Sequence, residues 1–133
     1  MDLRETIAVA RGMAPADLVL KGGNLVNVLS GEIYQTDVAV QGHMIVGLGS
    51  YRGREEIDVT GAYICPGFID GHVHIESSLV PIPEYARAVV PLGTTTVIMD
   101  CHEIANVMGI EGIRLMLASS KLTPLGVFAV LPS

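Results

Sequence analysis

Hydrophobic and polar residues alternate in two different ways along this chain, and the change falls near Pro66. Near the N-terminus, "LRETIAVARG" has apolar residues at helical spacing and predicts a short amphipathic helix that stops at Gly12. Residues 16–62 then consist of short β-like runs separated by Gly, Asn and Ser, as in "EIYQTDVAVQGH". This pattern predicts about five or six paired strands in a small sandwich or meander.

Strands alternate with helices after Pro66. "GFIDGHVHI" predicts a buried strand, "PIPEYARAVVPLG" a helix that begins at Pro and ends at Gly, and "GTTTVIMDCHE" a second strand. "ANVMGIEGIRLMLASSKL" has apolar residues at helical spacing, and a third strand is expected near Val127 to Leu131. Alternation of strand and helix is typical of βαβ crossovers in a parallel sheet, so the sequence predicts an α/β fold.

The composition limits the class of protein. Half of the 133 residues are hydrophobic and 17% are charged, which is typical of a globular protein and argues against a disordered chain. The net charge of −6 disfavours a nucleic-acid partner. The first residues mix charges of both signs, unlike a secretory signal, and the apolar runs are too short to span a membrane. With two cysteines and no paired spacing, we expect reduced thiols in a cytoplasmic protein.

Two of the four histidines, His72 and His74, lie one residue apart in the first strand after Pro66. Alternate residues of a strand share a face, so both rings and Asp70 are expected to point the same way. Polar groups on an otherwise apolar strand need partners, and a metal ion bound by both imidazoles would be one. Asp70 could orient a ring by accepting its second proton. The alternative is a surface strand with solvated histidines, and the apolar neighbours argue against it.

A second polar group, "DCHE", follows the strand "TTTVIM". The carboxyl ends of parallel strands meet at one edge of a sheet, so Asp100, His102 and Glu103 are expected near the histidine pair. Asp is also a good helix N-cap, and simple capping of the next helix is an equal alternative for this group by itself. Glu76 and Ser77 follow the histidine pair directly, and they either line the same site or begin a helix.

"PGFIDGHVHIESS" followed by "GTTTVIMDCHEIANVMG" resembles the amidohydrolase superfamily, and within it the adenine deaminases. The element "PGxIDxHxH" is also typical of dihydroorotase-like and hydantoinase-like members, whereas "HIESS" and "HEIANVMG" narrow the resemblance. Cys101 departs from the pattern, which has Pro at that position. The resemblance implies an N-terminal helix and β-sandwich-like accessory subdomain in residues 1–65. It implies the first three β/α units of an incomplete amidohydrolase (β/α)8 barrel in residues 66–133.

A (β/α)8 barrel alone takes about 200 to 250 residues. The chain therefore resembles the N-terminal fragment of such an enzyme, and we expect the fragment alone to be inactive. In the resembled family, further metal ligands and a catalytic Asp come from later strands. Expected partners are the small-molecule purine adenine and either the remainder of the barrel or another copy of the chain, in a homo-oligomer.

The resemblance implies that the parent enzyme hydrolyses adenine to hypoxanthine and ammonia in purine salvage. It implies a divalent metal cofactor, with manganese or iron favoured and zinc as an alternative. The implied site residues are the metal ligands His72, His74 and His102, the catalytic groups Asp100 and Glu103, and the substrate-binding groups Glu76 and Ser77. The residues themselves leave open whether the "DCHE" cluster holds a second metal, the purine or a proton relay. Another cyclic-amide hydrolase of the superfamily and a noncatalytic module are the alternative functions.

Overall fold

The computed structural model describes residues 2–130. The chain divides into two compact units, Met1–Pro66 and Gly67–Ser133. Among the described residues, no helix combines the length and the hydrophobicity needed to cross a membrane.

The first unit begins with helix α1, Leu3–Ala10, as the sequence predicts. Asp2 caps this helix, because its Oδ1 accepts the backbone N–H of Arg4 at 2.9 Å. Val9 is fully buried, whereas Leu3 and Ile7 are exposed, so only part of the predicted apolar face packs against the unit.

Five strands of the first unit form one mixed sheet: β1 Ala16–Asn27, β2 Glu32–Gln41, β3 Met44–Leu48, β4 Gly53–Asp58 and β5 Tyr63–Ile64. The order is β3-β2-β1-β4, and β5 also pairs with β1. Strands β1, β2 and β3 pair antiparallel, whereas β4 and β5 run parallel to β1. A sandwich requires two sheets, and the described residues of this unit supply one.

Strand β1 joins the runs "ADLVLKGG" and "NLVNVLSG", which the Gly-separated pattern of residues 16–62 predicts as separate strands with a turn between them. Its 12 residues pass through Gly22, which has a φ of +70°, and the register with β2 shifts there. Asp37 of β2 stabilises the irregular backbone at this point, so that β1 continues as one strand. Its carboxylate accepts the Gly22 N–H at 2.9 Å and pairs with Lys21 at 2.5 Å. The ion pair lowers the pKa of Asp37 and raises the pKa of Lys21. A bulge held by a charged pair therefore replaces the predicted turn.

The second unit alternates strands with helices in the predicted order: β6 Phe68–Val73, α2 Ile82–Val89, β7 Thr94–Asp100, α3 His102–Ser120 and β8 Gly126–Val130. All pairings are parallel, and the order is β6-β7-β8. A short 3-10 helix, Ile75–Ser78, directly follows β6. The described residues thus contain three parallel strands and the two helices between them. Leu131, the end of the predicted third strand, lies outside the described residues.

The two faces of this parallel sheet differ. Val97 and Met99 of β7 are fully buried on the face that α2 and α3 cover. Asp100 follows Met99, so alternation places it on the opposite face. Phe68 and Ile69 of the edge strand β6 are 61% and 67% exposed, so the prediction of a buried first strand is wrong in this chain. An edge strand has one neighbouring strand, which here is β7. Among the described residues, no strand covers the other side of β6, so its side chains stay more exposed.

Candidate metal centre

Strand β6 contains a bulge that decides where its histidines point. The pairing of β6 with β7 shifts register between Asp70 and Val73, and both residues pair with core residues of β7. Paired residues of a parallel sheet share a face, so Asp70 and Val73 face the helices, while His72 and His74 face the other side. The predicted common face of Asp70 and the histidines is therefore wrong, because the extra residue reverses the alternation.

Asp70 has partners of its own. Its Oδ1 accepts the backbone N–H of His72 at 3.1 Å, a local contact within the bulge. On the helix-covered side, burial raises the pKa of Tyr85 in α2, and the negative charge of Asp70 raises it further. Asp70 therefore contacts the backbone of its own strand and lies on the face that α2 covers. The predicted role of Asp70 in orienting a histidine ring is wrong.

The two imidazoles of β6 converge. His74 Nδ1 lies 2.9 Å from the backbone carbonyl oxygen of Asp100. A carbonyl oxygen only accepts, so Nδ1 carries the proton and Nε2 keeps its lone pair. This Nε2 lies 3.2 Å from His72 Nε2. Two nitrogen ligands at about 2.1 Å from one metal ion lie about 3.0 to 3.4 Å apart at octahedral and tetrahedral angles. The separation therefore fits one bound ion.

Asp100 lies at the end of β7 on the face of the histidine pair. Its Oδ1 accepts the backbone N–H of His102 at 3.2 Å, and its Oδ2 lies 3.4 Å from His102 Nδ1. The first contact is that of a helix cap, and the second orients the ring with Nε2 free. Ligand atoms of His72, His74 and Asp100 also lie within 4.8 Å of one another. Asp100 therefore has both the contact of a cap and the position of a ligand.

His102 and Glu103 lie in the first turn of α3, which begins three residues earlier than the sequence predicts. Their ligand atoms and one of His74 form a second group within 4.8 Å, and the rings of His74 and His102 are 4.7 Å apart between centroids. His74 belongs to both groups. Five side chains therefore form one histidine–carboxylate cluster, which consists of His72, His74, Asp100, His102 and Glu103.

Glu76 and Ser77 lie in the 3-10 helix next to this cluster. Ser77 Oγ donates to Glu103 Oε1 at 2.7 Å. Glu76 Oε1 accepts the backbone N–H of Ile104 at 3.4 Å, and Glu76 Oε2 is buried without a hydrogen-bond partner among the described residues. Both side chains thus contact the first turn of α3.

The other candidate groups lie outside the cluster. Cys101 is fully buried, and burial raises the pKa of its thiol, with further increases from the charges of Glu76 and Asp100. A thiol that stays protonated is a poor metal ligand. His43 lies in the turn between β2 and β3 of the first unit.

Sequence reasoning missed two backbone groups of the site. They are the carbonyl of Asp100, which sets the proton on His74, and the N–H of Ile104, which Glu76 contacts. No residue type marks such groups, because every residue other than proline carries both. It also missed a kink in α3 at Gly109, where φ is 59° and ψ is −146°. The signal for the kink was available, since glycine is the residue that adopts such angles.

The donor set fits a divalent metal. Neutral imidazole nitrogens and carboxylate oxygens bind zinc, iron and manganese, and the shared position of His74 permits one ion or two neighbouring ions. The cluster also holds carboxylates that can accept protons, at Asp100 and Glu103.

Comparison with known proteins gives a consistent result. Residues 63–133, more than half of the chain, match the model of the amidohydrolase family. The chain is 56% identical over 131 residues to an adenine deaminase of Geobacillus kaustophilus, and 50% identical over 135 residues to one of Moorella thermoacetica. Each alignment includes 98% of this chain and 23% of the relative. The chain thus spans about a quarter of the length of these curated relatives.

Solved structures agree at the level of the fold. N-acyl-D-glutamate deacylase from Bordetella bronchiseptica, solved with zinc and a phosphonate inhibitor, matches with a TM-score of 0.56 and 27% identity over 65% of this chain and 19% of that chain. A D-aminoacylase with a binuclear metal centre matches with a TM-score of 0.52 and 30% identity over 64% of this chain and 18% of that chain. With the family match over residues 63–133, these similarities show that the chain belongs to the amidohydrolase family.

Proposed function

We propose that the intact protein is an adenine deaminase, which hydrolyses adenine to hypoxanthine and ammonia with a divalent metal. One observation carries the proposal: the histidine–carboxylate cluster lies in a chain that is about 50% identical, over nearly its whole length, to adenine deaminases. Another cyclic-amide hydrolase is less favoured, because curated relatives that are 50 to 56% identical to this chain carry the deaminase name. The activity is assigned to the whole protein, since this chain corresponds to 23% of each relative.

The proposed roles follow from the geometry. A divalent metal would act as a Lewis acid, which lowers the pKa of water so that hydroxide is available as a nucleophile near neutral pH. His72 and His74 would hold it through their facing Nε2 atoms, and His102 would contribute its Nε2, which the Asp100 contact leaves free. Manganese or iron is favoured by the resemblance, and the donor atoms also suit zinc.

The carboxylates would handle protons. Hydrolysis adds water at C6 of adenine and expels ammonia, so both water protons must move: one goes to the amino group, which leaves as ammonia, and the other ends on a ring nitrogen of hypoxanthine. Glu103 is suited to this transfer, because Ser77 occupies its Oε1 and its other oxygen has no hydrogen bond to a described residue. Asp100 would contribute a further metal ligand, because its carboxylate lies within 4.8 Å of the ligand atoms of His72 and His74, and it also caps α3. A substrate contact for Glu76 and Ser77 remains the prediction from the sequence.

We also propose roles for the two units. Residues 67–130 would begin the barrel, with the cluster-bearing face of their parallel sheet turned toward its interior. Residues 2–66 would belong to the accessory subdomain. The remaining barrel strands would come from the rest of the polypeptide, and the intact protein would be a homo-oligomer in purine salvage.

The test uses the intact protein with adenine, dihydroorotate and hydantoin as substrates. We expect ammonia release from adenine and no ring opening of the other two compounds. His72→Ala and His74→Ala should each lose bound metal and turnover together, whereas His43→Ala should keep both. Hydrolysis of dihydroorotate or hydantoin in place of adenine would identify the alternative enzyme. Full metal content and turnover in either histidine variant would refute the proposed ligands.

A further inference from the structure

The 3-10 helix Ile75–Ser78 contacts the first turn of α3 at two adjacent positions. Glu76 Oε1 accepts the backbone N–H of Ile104 at 3.4 Å, and Ser77 Oγ donates to Glu103 Oε1 at 2.7 Å. The four residues of this 3-10 helix directly follow His74 in sequence. One short segment therefore links the histidine pair to the residues that α3 brings to the cluster.

The first turn of α3 needs partners from outside the helix. Its N-cap residue is Cys101, whose side chain makes no capping hydrogen bond. Asp100 accepts the N–H of His102, which leaves other backbone donors of the first turn without an intrahelical acceptor. Glu76 supplies an acceptor for the N–H of Ile104. Glu76 therefore does for this helix what an N-cap side chain usually does, and it does so from a different element.

A kink separates the first turn of α3 from the rest of the helix. At Gly109 the backbone leaves the helical region, so the segment 102–108 is separated by a kink from the segment that follows. The two segments touch at Gly112, where an added Cβ would lie 2.8 Å from the carbonyl oxygen of Ile104. The glycine permits this close approach, which is made at Ile104 rather than at His102 or Glu103.

The two side-chain contacts of this segment with α3 are made by adjacent residues. Glu76 Oε1 is directed at the backbone N–H of Ile104, and Ser77 Oγ donates to the side chain of Glu103. At these atoms the two side chains contact the protein, and both contacts fall in the first turn of α3.

We infer that Glu76 and Ser77 are positioning residues, which hold the first turn of α3 so that Glu103 and His102 face His74. They act through α3 and replace the substrate contact that the sequence predicts. The kinetic part of this inference rests on the proposed function, whereas the structural part does not.

The experiment compares Glu76→Ala, Glu76→Gln and Ser77→Ala in the intact protein. Glu111→Gln is the matched control, because this exposed glutamate of α3 pairs only with Arg114 among the described residues. The first readout is the hydrogen-exchange rate of the Ile104 amide without metal. We expect about tenfold faster exchange in Glu76→Ala, which corresponds to the loss of about 1.4 kcal/mol of local protection. Glu76→Gln should restore part of the protection, since its amide oxygen can accept the same N–H.

The second readout is kinetic. With adenine we expect kcat to fall at least about tenfold in Glu76→Ala and Ser77→Ala, with KM within about twofold of wild type, because the substrate contacts are unchanged. A higher KM at unchanged kcat and unchanged amide exchange would overturn the inference and support a substrate contact. Unchanged exchange in all three variants would also overturn it. If adenine is not the substrate, the exchange measurement still decides the positioning role. Should Glu76→Ala not fold, the Glu76→Gln and Ser77→Ala proteins provide the same comparison.

Discussion

Replacing Asp100 by Asn and by Ala separates the two contacts of this residue. Asn keeps a side-chain oxygen that can accept the His102 N–H, whereas Ala removes the acceptor. Both changes remove the carboxylate whose oxygen lies within 4.8 Å of the ligand atoms of His72 and His74. We therefore expect the Asn variant to lose metal affinity at nearly unchanged stability, and the Ala variant to lose both.

The magnitudes follow from the contacts. Loss of an N-cap acceptor costs about 1 kcal/mol, and Asn is about as good a cap as Asp. Because this chain corresponds to 23% of its relatives, the intact protein is expected to be large, and a change of about 1 kcal/mol shifts its Tm by at most roughly 2 to 4 °C. Four-ligand zinc sites bind with about 10 to 16 kcal/mol, or about 3 kcal/mol per ligand. Because each 1.4 kcal/mol is tenfold, removal of one ligand weakens binding by roughly 100-fold.

The assay measures metal affinity by competition with a chelator, and Tm on the metal-free intact protein so that metal binding does not contribute. Asp58 provides the matched control, because its Oδ1 accepts the N–H of Thr60 at 2.9 Å with the same two-residue spacing. Asp58→Ala should lower Tm without changing metal affinity. If Asp100→Asn binds metal as tightly as wild type, the carboxylate is only a cap and its place in the metal centre is refuted.

Glu103→Gln is expected to lower turnover by at least about 100-fold, because a proton acceptor is lost, while Tm changes little; a thermal shift without a kinetic defect would support simple capping. Asp37 should stabilise the fold above its ordinary pKa of 3.8 and lose that contribution as pH falls through its lowered native value. In urea unfolding from about pH 6 to about pH 2, Asp37→Asn should therefore show a smaller loss of stability than wild type, and equal slopes would contradict the ion pair with Lys21. The isolated 133-residue chain should self-associate in light scattering and release no ammonia from adenine, because the outer strands of its parallel sheet have one neighbour each among the described residues. A monodisperse monomer that deaminates adenine would contradict this expectation.

The order of the elements and the chemistry of the second unit could be predicted from the sequence. After Pro66, short apolar runs typical of strands alternate with segments whose apolar residues have helical spacing. The strands and helices occur in the order that this pattern predicts. The prediction succeeds because each element buries one face, and the spacing of apolar residues within a short segment indicates whether that segment is a helix or a strand. The convergence of "HVH" and "DCHE" was also predictable, since both follow neighbouring parallel strands whose carboxyl ends meet at one edge.

Which side chain faces which partner depends on the tertiary fold and could not be predicted from local patterns. The bulge in β6 moves Asp70 to the helix-covered face, and the bulge at Gly22 turns two predicted strands into one. Glu76 reaches the N–H of Ile104 across 28 positions of sequence. In each case the outcome depends on the register or close approach of segments that are distant along the chain. Local periodicity does not predict that register, because one extra residue moves every later side chain of a strand to the opposite face of the sheet.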